Sequence, residues 1–412
     1  MTTALNNDRI FYATQAVAIA PDGTTPLNYD ANDVAHGVQS VGITTNFNLE
    51  QAFELGQLEI YENIEGLPDV EVSMEKLLDG NRLLYHMASD FDSADGTAIS
   101  PTATGKLIRR SKVTSDVRLG IYEENNTNVL GNAPATSSAT ASDKQSTEVL
   151  MSGMFISSVS YSIPVDGNAT ESITLVGNNK KWFHSSNSVE AQGIGGFDGM
   201  ALTRAGTGND PLIDLDGNDS PEASSSGIYG DATALASGGI QRREDVLIER
   251  CIFPSIIRGV NGSGMSNAFN STTNTNRVHL QNVSVSTDFS REDILEIGRK
   301  TPFARPANFP IEVSCEIEAI TTEGDFVSAL EVGNSLLDET VASGENTQNE
   351  RIFMVLRGGY VFDLGAKNRL SSVSYGGGDA GGGNATCTYS FTNFNSLDVL
   401  HHKDNGHLSL DR

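Results

Sequence analysis

Hydrophobic and polar residues alternate with a period of two along several short stretches of the chain. The alternation is strictest at 70–78, where Val70, Val72 and Met74 are separated by acidic or hydroxyl-bearing residues, and it recurs at 311–318. A period of two predicts β-strands with one buried face and one wet, acidic face. Further strands are predicted at 36–48, 113–122, 149–162, 170–177, 351–362, 370–375 and 386–393.

Helical periodicity is confined to short turns, and two long segments show little period of either kind. One helix-like turn, capped by Asn81, carries Leu83, Leu84 and Met87, and another, capped by Thr322, carries Phe326, Val327 and Leu330. Residues 131–147 predict an exposed loop, and residues 183–240, rich in Gly, Ser, Asn and Asp, predict a long linker or arm. The sequence therefore predicts a mainly β fold with very little helix.

The chain repeats itself. The block that begins at Gln39 recurs at Gln281, so the offset is 281 − 39 = 242 residues, and the block at Glu71 matches the block at Glu312 with an offset of 241. Residues 157–161 recur at 371–375, and residues 167–170 recur at 383–386. Several matched blocks in one order predict two tandem copies of one domain, at 1–182 and 241–412, joined by the arm at 183–240.

Composition narrows the classes of function. The chain has 412 residues and a net charge of −26, and it lacks the Lys and Arg surplus that neutralises phosphates in nucleic-acid binding. The charge either keeps copies soluble or forms a surface that DNA passes without sticking. No stretch approaches a membrane span, and the N-terminus shows neither a basic nor an apolar signal region, so neither a membrane segment nor a signal peptide is expected.

Candidate chemistry is sparse. The three cysteines are far apart and form no CxxC pair, which argues against a disulfide framework or a zinc site. The oxygen-rich stretch from Asp214 to Asp219 opens like a calcium loop, but Ser225 stands where the twelfth-position Glu is needed, so a polar turn is favoured. The pair His401–His402 lies in a polar tail. No catalytic residue, cofactor or metal is therefore expected, and the chain is not expected to be an enzyme.

The segment between the first two core strands differs in charge between the copies. Residues 49–69 contain six acids and no base, and the acids include Glu50, Glu54, Glu59 and Glu62. The matching segment at 291–310 contains Arg291, Arg299, Lys300 and Arg305. Two interpretations stay open: drift on a solvated face, or complementary docking between acidic and basic loops.

Taken together, the residues resemble the tail tube proteins of long-tailed bacteriophages. The resemblance is carried by Phe47, Glu50, Glu54-Leu-Gly56-Gln57, Tyr61, Pro68 to Ser73, the stretch from Glu75 to Gly80, the short helix from Asn81 to Met87, and the closing strand from Glu171 to Trp182. It covers about residues 36–182 and, through the repeat, more faintly 276–400. The second copy departs from it, because it lacks the Glu75 to Gly80 block and has Arg299-Lys300 where the first has Gln57-Leu58.

The resemblance implies tandem β-barrel or sandwich domains, each with a short flanking helix, that assemble into stacked rings around a channel for DNA. It implies a virion protein assembled in the host cytoplasm, with partners in copies of itself and in tape-measure, terminator and baseplate or tip proteins. Double-stranded DNA would pass without specific binding. Two copies per chain imply a trimeric, pseudo-six-fold ring, and the long loops, with the acids and bases named above, would help to stack rings.

Acids on the alternating strands are candidates for the channel wall, or they face solvent on the outside. These residues are Glu71, Glu75, Glu312, Glu316 and Glu318. Two other functions stay open: the tube of a contractile secretion system, which shares the fold but not the passage of a genome, and a surface adhesin or receptor-binding β-protein.

Overall fold

The structure is a computed structural model that describes residues 10, 12, 15–21, 34–56, 58–89, 107, 111–122, 145–184, 239–248, 251–254, 257, 279–299, 301–320, 327, 349–378 and 383–401. In the N-terminal half the elements are β1 (Gln15–Pro21), β2 (Val38–Asn46), β3 (Leu49–Phe53), β4 (Ile60–Glu65), β5 (Asp69–Leu77), α1 (Leu84–Ser89), β6 (Ser115–Tyr122), β7 (Gln145–Pro164), β8 (Thr170–Gly177) and β9 (Lys181–His184). In the C-terminal half they are β10 (His279–Asp288), β11 (Glu312–Ile320), β12 (Phe353–Val355), β13 (Tyr360–Asp363), β14 (Arg369–Gly376), β15 (Thr386–Phe394) and β16 (Asp398–His401).

Both halves share one antiparallel sheet. Its central path runs β14-β15-β11-β10-β7-β8-β5-β2, with β1, β6 and β9 reached through the long strand β7. The sheet passes from one half to the other where β10 pairs with β7, from Asn282 opposite Pro164 to Asp288 opposite Ser158. The mainly β architecture predicted from alternation is therefore present, as a single sheet that spans the two copies.

Strand register shows the repeat more sharply than the sequence does. In the first copy β2, β5, β8 and β7 follow one another across the sheet, and in the second β10, β11, β15 and β14 take the same places. Bulges fall at matching positions, Gln39 and Gln281 in one strand pair and Ser157 and Ser371 in the other. The offsets are 281 − 39 = 242 for β2 and β10 and 371 − 157 = 214 for β7 and β14.

The strand pairing aligns β5 with β11 two residues away from the alignment that the sequence repeat predicts. Thr45 lies opposite Val70, and its counterpart Thr287 lies opposite Val313, so the true offset is 313 − 70 = 243 and not 241. Glu75 therefore corresponds to Glu318. An error of two residues keeps every side chain on its own face of a strand, which is why the predicted faces are still correct.

The other face of the sheet covers the core. Val72, Leu175, Val159, Val285 and Ile317 are each almost fully buried beneath it. In the first copy β7 also pairs with β6 and β9, and β6 pairs with β1. The second copy adds the small sheet β12-β13-β16, and its Phe362 packs against Tyr161 of β7. The structure is therefore mainly β, with one large antiparallel sheet and very little helix, and the division into two barrel or sandwich domains stays a prediction.

A buried carboxylate, and not the predicted cap, holds the start of α1. The backbone N–H groups of Leu84 and Tyr85 donate to Glu171 at 2.7 and 3.0 Å, and the hydroxyl of Tyr161 donates to it at 3.1 Å. Burial raises the pKa of Glu171. Asn81, predicted as the cap, instead bonds to Asp79.

Other predictions have mixed outcomes. The strand predicted at 351–362 is two strands, β12 and β13, and the predicted loop at 49–69 contains the hairpin of β3 and β4. Of the second helix-like turn only Val327 is among the described residues. Several predicted features lie outside the described residues or at their margins: the loop at 131–147, the stretch from Asp214 to Asp219, His402 and nearly all of the arm. The domain boundaries stay a prediction.

Candidate assembly surfaces

The exposed face of the shared sheet is hydroxyl-rich and acidic. On it β7 places Ser158, Ser160 and Ser162 beside Ser172 and Thr174 of β8. All five predicted acids lie on this face, where Glu71 and Glu75 belong to β5 and Glu312, Glu316 and Glu318 belong to β11. Asp69 and Asp288, at strand ends, add to them, and Arg369 is the only Lys or Arg side chain on this face among its described strand residues.

Both copies carry acids on this face because β5 and β11 are equivalent strands, in which Asp69 corresponds to Glu312 and Glu75 to Glu318. Cys315, which alternates with these acids in β11, points to the other side and is almost completely buried. Burial, with a smaller contribution from the charge of Glu316, raises the pKa of Cys315 to about 12. The sheet therefore separates an inert apolar side from a wet side that carries a repeated negative charge.

The hairpin of β3 and β4 is almost wholly exposed. Glu50, Glu54, Glu59 and Glu62 all lie on it, as do the large apolar side chains of Phe53, Leu55, Leu58 and Tyr61. Every residue of β4 is exposed. Among the described strands, β3 and β4 pair only with each other, and a two-stranded hairpin of this kind is marginally stable by itself. Its contiguous exposed apolar side chains mark a surface for a partner.

The matching segment of the second copy, 291–305, uses two of its bases within the chain. Arg291 donates to the carbonyl oxygens of Ile156 (2.6 Å), Arg305 (2.9 Å) and Ser111 (2.8 Å), and its guanidinium lies 4.7 Å from the ring centroid of Phe155. Burial, and then the charge of Arg305, lowers the pKa of Arg291 to about 10. Arg291 therefore fastens the second copy to the first.

Arg305 makes the ion pairs of the same joint. It is 8% exposed, it pairs with Asp293, and it reaches Asp69 of the first copy at 3.5 Å. The hydrogen bond that it donates to Asp293 leads the contributions that raise the pKa of Arg305. A basic loop of one copy thus meets an acid of the other inside a single chain. Arg299 is exposed, and Lys300 lies outside the described residues.

The layer below the sheet adds contacts between the copies. The rings of Tyr161 and Phe362 meet edge to face at 4.8 Å. The hydroxyl of Tyr360 donates to the carbonyl oxygen of Asn81 at 2.7 Å and accepts from the N–H of Gly80 at 2.8 Å. The joint between copies, with paired strands above and packed aromatic rings below, is built like the interior of one domain.

A buried lysine and its partly buried acidic partner shape this region, and neither was expected from the sequence. Lys76 donates to the carbonyl oxygen of His36 and pairs with Asp79 at 3.0 Å. Burial favours a higher pKa for Asp79, but Lys76 and Asn81 together outweigh it and lower the pKa. The signal was present, because Lys76 is in phase with Val72 and Met74 on the apolar side of β5.

Signs of other chemistry are few. Within the described ranges, no group of three or more His, Cys, Asp or Glu side chains is placed to hold a metal ion. No helix in that part of the chain has the length and apolar character needed to cross a membrane.

Comparisons with known proteins give only distant likenesses. No family model matches the chain, and no curated protein matches it. Among solved structures it is similar to the tube-terminating cap of the anti-feeding prophage, with 12% identity, a TM-score of 0.26, and coverage of 44% of this chain and 100% of that one. It is also similar to the sheath–tube complex of an extracellular contractile injection system, PVC, in the extended state (11% identity, TM-score 0.28, 44% and 99% covered), and to the anti-feeding prophage baseplate (10% identity, TM-score 0.27, 43% and 97% covered).

Proposed function

We propose that this chain is a non-enzymatic structural subunit that assembles into rings, and through stacked rings into the hollow tube of a phage tail or of a contractile injection system. One observation carries the proposal: two copies of a β-domain join head to tail in a single sheet through β7 and β10. A head-to-tail joint leaves a complementary edge at each end, and repeating it closes a ring or extends a fibre.

The two sheet edges support the proposal. The described sheet ends at β2 on one side and at β14 on the other, and each has unpaired backbone groups along its outer side. Long exposed edges of this kind need a partner, and closure into a ring removes them. With two copies per chain, a trimer gives a ring of pseudo-six-fold symmetry, and this stoichiometry is part of the proposal.

The acidic face is proposed as the wall of the channel. It carries serine and threonine hydroxyls together with Glu71, Glu75, Glu312, Glu316 and Glu318. Among the described strand residues of this face, Arg369 at one strand end is the only cation that could bind a DNA phosphate. A wall of this charge repels DNA and lets it slide. The exposed hairpin with Glu50, Glu54, Glu59 and Glu62, and the segment with Arg299 and Lys300, are proposed to contact the next ring.

Electron microscopy of the purified full-length chain in negative stain tests the function. The proposal expects annular particles or tubes with a stain-filled centre, and their abundance should rise with protein concentration. Compact monomers at every concentration would contradict it and would favour a role as an isolated adhesin.

The channel wall has a separate test in assembled tubes. Glu71→Lys with Glu75→Lys should make tubes hold short duplex DNA and shield it from nuclease, because the cations would face the lumen. The matched control, Asp166→Lys with Glu244→Lys, makes the same charge change at exposed acids that lie on neither the acidic face nor the hairpin, so bound DNA should stay sensitive to nuclease. Equal sensitivity in both variants would place the acidic face outside the channel.

The cargo separates the two kinds of particle. A phage tail, expected from the sequence resemblance, passes DNA, and a contractile injection system need not. Purified native particles from the source of this chain should carry a DNA-filled head in the first case and none in the second.

A further inference from the structure

Strands β2 and β14 are the counterparts of two strands that already pair inside the chain. β10 corresponds to β2, β7 corresponds to β14, and β10 pairs with β7. We infer that β2 of one chain pairs with β14 of the next, antiparallel and in the register of the internal joint, and that the cation of this second joint is carried by β14 in place of the segment that follows β10. The inference rests on the proposed function, since it names the surfaces by which the rings close.

The register follows from the offsets. Subtracting 242 from a position in β10 and adding 214 to a position in β7 converts an internal pair into a pair between chains. The internal pair Val285 and Tyr161 becomes Ile43 and Tyr375, because 285 − 242 = 43 and 161 + 214 = 375. The neighbouring pair Ser286 and Ser160 becomes Thr44 and Ser374. Because the bulges of β2 and β14 fall at positions that match those of β10 and β7, each offset is the same before and after the bulge.

Burial differs between equivalent positions in the way that a missing neighbour predicts. Val285 is 1% exposed and Tyr161 is 2% exposed inside the internal joint. Their counterparts are less covered, since Ile43 is only partly buried and Tyr375 is 54% exposed. Apolar residues that point to the core side of a sheet and yet stay exposed need a further strand beside them.

Charge favours a second copy as that neighbour. At the internal joint, Arg291 of the second copy lies over Phe155 of the first. The counterpart of Arg291 is Leu49, at the base of the acidic hairpin, and the counterpart of Phe155 is Arg369, since 155 + 214 = 369. Arg369 is exposed.

In the internal joint the cation, Arg291, follows β10, whereas in the inferred joint the cation, Arg369, belongs to β14. Lys367, also exposed, precedes Arg369, and the hairpin that would lie against them holds glutamates and no base. Opposite charges on the two edges steer β2 to β14 and disfavour two β2 strands, whose acidic hairpins would repel each other.

A disulfide placed across the inferred joint tests the register. Thr44 and Ser374 are both exposed, and side chains directly opposite on antiparallel strands lie about 4.5–5.5 Å apart at Cβ, close enough for a bridge. The full chain with Thr44→Cys and Ser374→Cys should form, on mild oxidation, a ladder of linked chains that ends at the closed ring. Ser286→Cys with Ser160→Cys is the matched control, and it should link only within one chain.

Other outcomes overturn the inference. Rings seen by microscopy in which the Thr44→Cys, Ser374→Cys variant forms no link between chains, while the internal control links fully, would refute the joint but leave the proposed function standing. Dimers from Thr44→Cys alone would show pairing of β2 with β2 instead. The absence of any oligomer would overturn the proposed function together with the joint.

The charges of the inferred joint have their own variant. Arg369→Glu changes an exposed side chain, so folding should not suffer, but the protein concentration needed for assembly should rise about tenfold because the joint would then oppose like charges. Adding Glu50→Arg should restore assembly. Assembly of Arg369→Glu at the original concentration would refute this role of the charges.

Discussion

Arg291 is expected to hold the two copies of one chain together, and its removal is the most direct perturbation of the internal joint. Its guanidinium donates to three main-chain carbonyl oxygens, two of them in the first copy, and stacks on Phe155. Arg291→Ala removes all of these contacts at once. Leu49→Ala is the matched control, since Leu49 is the equivalent residue of the first copy and is 63% exposed.

The magnitude follows from the contacts. Each hydrogen bond contributes about 1 kcal/mol net, and the stacked cation contributes about 0.5–1 kcal/mol. Arg291→Ala should therefore lower the free energy of unfolding by about 3.5–4 kcal/mol. Leu49→Ala removes little buried area and should cost less than about 0.5 kcal/mol.

Urea unfolding followed by far-ultraviolet circular dichroism, at a concentration where the chain is monomeric, measures both values. Arg291→Lys should recover only part of the loss, because an ammonium group cannot reach three carbonyl oxygens in the planar arrangement of a guanidinium. If Arg291→Ala falls within about 0.5 kcal/mol of Leu49→Ala, the internal joint does not depend on this residue and the reasoning is refuted.

Two further predictions concern buried groups near the joint. Glu171 has a pKa raised by burial, so its contribution to stability is fully present below its unfolded pKa and is lost as pH rises through the folded pKa. The free energy of unfolding of the native chain, relative to that of Glu171→Gln, should therefore fall with pH by up to about 1.4 kcal/mol per pH unit in that window. A difference in urea unfolding that does not change with pH would contradict this prediction. Tyr360→Phe should cost about 2–3 kcal/mol because it removes the hydroxyl that accepts from the N–H of Gly80 and donates to the carbonyl of Asn81. A loss below about 0.5 kcal/mol in the same assay would show that water replaces the hydroxyl.

The local pattern of the chain predicted the strands and their faces well. In β5 and β11 every second residue is buried, as the alternation of Val70, Val72 and Met74 indicated. The offset between these strands was misplaced by two residues because Glu-Val-Ser occurs in both, and short polar-apolar motifs match equally well at any even shift. Only ladder partners fix the register.

Contacts between the copies could not be predicted from the sequence. Pairing of β10 with β7 joins residues more than a hundred positions apart, and periodicity carries no information on which strand lies beside which. The opposite charge of the two loops was visible, but the sequence could not tell that Arg305 reaches Asp69 within one chain. The buried Lys76 and Glu171 had a signal, since each is in phase with apolar residues of its own strand.

The central claim is that this sheet continues from chain to chain around a hollow ring. A cryo-electron microscopy reconstruction of the assembled protein, at a resolution that traces strands, measures this directly. We expect β2 beside β14 of the neighbouring chain, the face with Glu71, Glu75, Glu316 and Glu318 turned to the lumen, and three chains contributing six similar lobes. A ring in which β2 and β14 both stay unpaired, or in which the acidic face lies on the outside, would contradict the claim.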